Sequence, residues 1–169
     1  TGQYNHSGHQ VVTKNVAKCE FVLGVANLMV HTLGSGTIAQ VQNLLAELIE
    51  NLEIMKSLLC VSEINAELDE WGVMRPALVP ITVARNLFIK MYPRMIEIIQ
   101  LLGSSSLMAL PVEADFEGPL QQDITQYLDT DTATAKERVQ LFHLAWDLAG
   151  SAFGSRQVIY ERYFQGDWM

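Results

Sequence analysis

Three long runs of apolar residues, spaced three and four apart, leave this chain little choice but to fold as packed α-helices. Ile38, Val41, Leu45, Leu48, Leu52, Met55, Leu59 and Ser62 recur close to a period of 3.5. That spacing keeps one face of a helix turned towards neighbouring helices. Val12, Val16, Cys19, Leu23, Ala26 and Val30 form a second stripe, and Ile81, Ala84, Phe88, Met91, Met95, Ile98 and Leu102 a third. The expected architecture is all-α, an up-and-down four-helix bundle with shorter helices added. The pattern places helices over residues 8–33, 38–70 and 80–102, and a short acidic one over 119–128.

The punctuation fits this division. Gly34-Ser35-Gly36 follows the first stripe as glycine follows a helix end, and Thr37 is the expected N-cap of the second. Gly24, with Ala17 and Ala26, predicts a close helix approach. Pro76 and Pro80 break the chain after the second helix, and Pro93 predicts a kink in the third. Residues 103–119 are long and aperiodic, as functional or interfacial segments are.

Residues 137–167 carry the most pointed signal. Val139, Phe142, Trp146 and Ala149 form one helical stripe, and Ile159, Tyr160 and Tyr163 begin another. Between them lie Gly150, Ser151, Ala152, Phe153, Gly154, Ser155 and Arg156. Glycine costs about 1 kcal/mol inside a helix, so two of them indicate close approach by a neighbouring helix or by a ligand. Hydroxyl, amide and guanidinium donors together suit a phosphate-bearing ligand. Packing with a surface ion pair, Arg156 to Glu161 or Asp147, is the plainer reading of the same residues.

Other chemistry is sparse. His6 and His9 share a helix face, but no thiol or carboxylate nearby completes a metal set, and Cys19 lies roughly 15 Å further along the helix. His143 and Asp147 are an i,i+4 pair better read as helix surface than as an acid–base dyad. Nucleophile triads, phosphate loops and dinucleotide fingerprints are absent from the sequence. The net charge of −8, without a basic cluster, argues against nucleic acid and anionic membranes as partners. The longest apolar run, residues 21–30, is broken by Gly24 and Asn27 and is too short to span a bilayer. Cys19 and Cys60 are expected to be buried thiols of a reducing, cytoplasmic compartment. Apolar residues make up 49% of the chain and charged ones 18%, a surplus that predicts burial against other domains or subunits.

The run RVQLFHLAWDLAGSAFGSRQVIYERYFQGD resembles the C-terminal end of the flavin-dependent 4-hydroxyphenylacetate 3-monooxygenase oxygenase components. HSGHQVVTKNVAKCEFVLGVANLM, GVMRPALVPITVARNLFIKMYPRMIEIIQLLG and SSSLMALPVEADF are similar to the same family in the same order. The resemblance implies an acyl-CoA-dehydrogenase-like C-terminal domain of a longer protein, in agreement with a chain that opens without Met in helical periodicity. It implies hydroxylation of a phenol ortho to its hydroxyl, with reduced FAD delivered by a separate flavin reductase. It also implies a dimer or tetramer built through the bundle. It makes Ser151, Ala152, Phe153, Gly154, Ser155 and Arg156 the FAD-contacting stretch, with no catalytic residue in this part, and it puts the LMALP segment (residues 107–111) towards the flavin side. A 4-hydroxybutyryl-CoA dehydratase-like flavoprotein, whose cluster takes His and Cys ligands partly from this region, is disfavoured by the missing thiols. A non-catalytic helical oligomerisation module is the remaining alternative.

Overall fold

The computed structural model describes residues 2–164, with side chains from residue 4 onwards; residues 165–167 of the C-terminal stretch lie outside the described residues. Helix α1 (Gly2–Thr32) begins six residues earlier than its apolar stripe suggests. Helix α2 (Ala39–Ile64) packs antiparallel to it, with His9 Nε2 2.8 Å from Glu63 Oε1 and Lys56 Nζ 3.1 Å from Glu20 Oε1. Helix α3 (Leu78–Gly103) runs parallel to α1. Asn5 donates to the Pro76 carbonyl at 2.9 Å near one end, and Cys19 Sγ meets Met95 Sδ at 3.9 Å midway. After α4 (Gln121–Leu128), helices α5 (Ala135–Ala149) and α6 (Ala152–Tyr163) follow one another antiparallel to α1. Thr132 Oγ1 donates to the His31 carbonyl before α5 begins, and Glu161 of α6 reaches Lys14 of α1. Four rods therefore alternate in direction, the fourth broken into α5 and α6, with α1 and α3 touching across the centre.

The core is the overlap of the three stripes with the inner face of α5. Val12, Leu48, Met55, Ile81, Phe88 and Phe142 are each essentially inaccessible to water. Burying side chains of this size contributes about 1.5–3 kcal/mol apiece. Helix α3 continues unbroken through Pro93, with Tyr92 and Met95 buried on either side. It stops at Ser104, whose φ of 47° is left-handed.

Several expectations need correction. Helix α2 ends at Ile64 rather than at residue 70, and a two-stranded antiparallel hairpin follows, β1 (Glu67–Leu68) with β2 (Met74–Arg75). Asp69 Oδ1 accepts the backbone N–H groups of Trp71 and Val73, and Gly72 takes a φ of 75°. An aspartate that captures the next amides favours a turn over a helix. Ile38, without a side-chain cap, occupies the N-cap position expected of Thr37. A Cβ built on Gly24 would meet nothing within 4 Å; close approach to α1 occurs at Gly8, where it would lie 2.5 Å from Ile81 Cγ2. Within residues 103–119, Ser104–Leu107 and Glu113–Phe116 form single 3-10 turns.

The cysteines also separate. Cys19 is fully buried, and burial pushes its thiol up to about 12, whereas Cys60 is exposed. Thiolate, not thiol, is the reactive form. A chromogenic disulfide reagent is thus expected to titrate one thiol per chain in the native protein and two in denaturant; two fast thiols in the native protein would contradict this packing.

Candidate functional site

The glycine-bracketed stretch is the break between α5 and α6, and its residues have distinct duties. Gly150 and Ser151 both donate backbone N–H groups to the Trp146 carbonyl, at 2.7 and 3.0 Å. Ser151 is the N-cap of α6: its Oγ accepts from the Gly154 amide at 3.1 Å and donates to the Asp147 carbonyl at 2.8 Å. A cap of this kind holds the first helical turn. Gly154 is buried, and a Cβ there would lie 2.4 Å from the Leu148 carbonyl oxygen and 2.8 Å from that of Asp147. The close approach that Gly154 permits is therefore between α6 and the end of α5. The Ser151 hydroxyl is engaged twice, which leaves it little capacity for a ligand.

What remains available is the outer side of the same turn. Ala152, Phe153, Ser155 and Arg156 are exposed, Phe153 by 54%. Among the described residues the backbone N–H groups of Ala152 and Phe153 have no acceptor, as is normal for the first positions of a helix. Arg156 pairs with neither Glu161 nor Asp147, because Glu161 is buried against Lys14 and Lys18. The stretch thus presents two amide donors, one hydroxyl, one guanidinium and one aromatic ring to its surroundings.

A larger concavity, a cleft of ≈ 550 Å³, lies between the 111–117 segment, α4 and the first turns of α5. Pro111, Phe116 and Val139 give it apolar walls. Lys136, His143 and Gln140 line its α5 side, and Glu113 and Glu117 the opposite one. His143 engages the Pro111 carbonyl at 3.0 Å rather than Asp147. The start of α5 is already closed: Thr134 and Glu137 cap each other reciprocally, and Asp129 Oδ1 accepts the Ala135 amide at 2.6 Å. The Thr134 hydrogen bonds hold the Glu137 carboxyl below its ordinary value. The cleft therefore offers mixed apolar and polar walls, with the amides at the start of α5 already engaged. Its lining comes from three consecutive segments between residues 111 and 143, of which the sequence signalled only the aperiodic 103–119 stretch.

His9 pairs with Glu63, and among the described residues no group of three or more His, Cys, Asp and Glu could hold a metal ion. Among the described residues no helix is long and apolar enough to cross a membrane.

A profile described as "4-hydroxyphenylacetate 3-hydroxylase C terminal" matches residues 1–169. The chain is 48% identical over 159 residues to a probable 4-hydroxyphenylacetate 3-monooxygenase of Bacillus subtilis, covering 94% of this chain and 33% of that protein. It is 44% identical over 167 residues to the oxygenase component of 4-hydroxyphenylacetate 3-monooxygenase of Thermus thermophilus, covering 99% and 35%. A crystal structure of the oxygenase component of 4-hydroxyphenylacetate 3-monooxygenase, complexed with FAD and 4-hydroxyphenylacetate, superimposes with a TM-score of 0.95 at 43% identity, covering 98% of this chain and 35% of that one. An archaeal 4-hydroxybutyryl-CoA dehydratase shares the fold, with a TM-score of 0.80 at 14% identity. The chain spans about a third of the length of the curated relatives it matches.

Proposed function

The chain belongs to the 4-hydroxyphenylacetate 3-hydroxylase family as its C-terminal part, and from that premise we propose that it serves a flavin-dependent phenol hydroxylase by helping to seat FAD. The observation that carries the reading is the backbone match, over nearly the whole chain, to an oxygenase component crystallised with FAD and 4-hydroxyphenylacetate. The residues present fit such a group. The Ala152 and Phe153 amides, Ser155 and Arg156 offer donors for phosphate or ribose, while the 550 Å³ cleft offers apolar walls with Lys136 and His143 at the rim. Bound FAD, once reduced, supplies the activation of oxygen. This part of the protein contributes binding, orientation and exclusion of water. No side chain described here is assigned a proton transfer.

The proposal extends to partners. A separate reductase delivers reduced flavin, the small phenol binds mainly outside this region, and copies associate through the bundle. Exposed Ile49, Ile54 and Val61 on α2, together with Trp71 on the hairpin, support association, since such apolar surface is normally covered.

The test uses the full-length protein. Arg156→Ala is expected to weaken reduced-FAD binding about tenfold, as loss of a charge-assisted hydrogen bond does. Its thermal midpoint should not move, because Arg156 is exposed. Val139→Trp, which fills the cleft, is expected to weaken binding as well. Unchanged affinity in both variants would remove these surfaces from the cofactor site.

A further inference from the structure

Helix α6 buries one large side chain, a carboxylate and not an apolar group. Its buried residues are Gly154 and Glu161, and Val158 is its partly buried apolar contact with the core. The stripe expected to face inwards, Ile159, Tyr160 and Tyr163, is 47–59% exposed. Glu161, 2% exposed, faces α1 instead. Its two carboxylate oxygens accept from Lys14 Nζ at 2.8 and 2.7 Å, and Lys18 Nζ reaches it as well. Lys18 also donates to Gln157 Oε1, one helical turn before Glu161, at 2.9 Å.

Aromatic rings enclose the two ammonium groups. Lys14 Nζ lies 5.8 Å from the Phe88 ring centre and 5.4 Å from that of Tyr160, and Lys18 Nζ lies 5.2 Å from that of Tyr92. Burial, and then the Glu161 charge, push the Tyr92 phenol up to about 12, so it stays neutral beside the pair. Burial holds Lys14 below the usual ammonium range. A carboxylate removed from water is costly to leave unpaired, so the position of Glu161 is tied to the two lysines.

The other end of α6 is the Gly150–Ser151 break, where Ser151 caps the helix and Gly154 lies tight against the end of α5. Helix α6 also rests against α3, and the clamp adds the tie between its C-terminal half and α1. We infer that Glu161, clamped between Lys14 and Lys18 of α1, is a positioning residue that sets the angle of α6 and so holds Ala152, Phe153, Ser155 and Arg156 where the cofactor meets them. The first half of this statement stands on the geometry alone; the second half rests on the FAD reading given above. Glu161 lies five residues beyond Arg156, about 7.5 Å along the helix, and acts through the helix without touching the ligand.

The experiment compares full-length protein with its Glu161→Gln and Lys18→Met variants. Glutamine keeps the shape and removes the charge; methionine leaves one lysine for one carboxylate. Hydrogen exchange of peptides from 152–164 is read against peptides from α2, and reduced-FAD affinity is measured in parallel. Glu161→Gln is expected to speed exchange in α6 at least about tenfold with α2 unchanged, and to weaken FAD binding, with Lys18→Met intermediate. Unchanged α6 exchange in both variants overturns the clamp. Equal acceleration in α2 also overturns it, since that marks general destabilisation. Faster α6 exchange with unaltered FAD affinity confirms the clamp and overturns its link to the cofactor. Should Glu161→Gln fail to fold, Lys18→Met decides by the same comparison.

Discussion

Replacing Gly154 with alanine is expected to lower the stability of the protein by about 3 kcal/mol, the upper end of what overpacking usually costs. The reason is the nature of the obstacle. The new Cβ would lie 2.4 Å from the Leu148 carbonyl oxygen and 2.8 Å from both the Asp147 carbonyl oxygen and the Leu148 carbonyl carbon. A flexible side chain could swing aside, but these atoms belong to the last turn of α5, so α6 itself must shift. Gly24 is the internal control. It also sits inside a helix, and a Cβ there would meet nothing within 4 Å, so Gly24→Ala should gain about 0.5–1 kcal/mol. Denaturant midpoints measure both. A loss below about 0.5 kcal/mol for Gly154→Ala would mean that α5 and α6 are less tightly apposed than described.

The second large effect has the opposite sign. Asn15 lies in α1 with no solvent exposure, and among the described residues neither its amide nitrogen nor its amide oxygen has a hydrogen-bond partner. A buried polar group without a partner costs roughly 1–3 kcal/mol, and a same-shaped apolar group removes that penalty. Leucine matches asparagine in side-chain heavy-atom number and branching. Asn15→Leu is therefore expected to raise stability by about 2 kcal/mol, seen as a higher denaturant midpoint at constant slope. A destabilised Asn15→Leu would show that the amide is satisfied in solution.

The helical class was legible because period is legible. Leu48, Leu52 and Met55 repeat at a spacing that only a helix turns into one face, and all three are buried. The hairpin was not, because residues 65–70 continue the acidic, helix-tolerant composition of α2. The decision falls to one side chain, Asp69, which captures two backbone amides. In α6 the period was found but the inward face was misassigned. Tyr160 and Ile159 are the natural candidates for a core only when the opposing surface is apolar, and α1 offers Lys14 and Lys18 there.

The candidate site shows a similar limit. Ser151 and Gly154 have the same sequence signature whether they cap a helix or cradle a phosphate; in the fold Ser151 caps α6 and Gly154 lies against the end of α5. Ala152, Phe153, Ser155 and Arg156 remain free to meet a ligand. The cleft sets Pro111 and Phe116 of the aperiodic stretch against Val139 of α5, a pairing that the lack of period in 103–119 hints at but cannot specify.

The clamp on α6 also bears on the order in which the molecule comes together. Lys14 and Glu161 are 147 residues apart, so their contact closes almost the whole described chain into a loop. Helices α1, α2 and α3 find one another through much shorter separations, whereas Glu161 lies in α6, downstream of all three. Until it arrives, two lysines wait beside Phe88 and Tyr92 with no carboxylate to answer them. Loop closure over such a length is slow to be rewarded, which makes the docking of α6 on α1 a later step than the pairing of α1, α2 and α3.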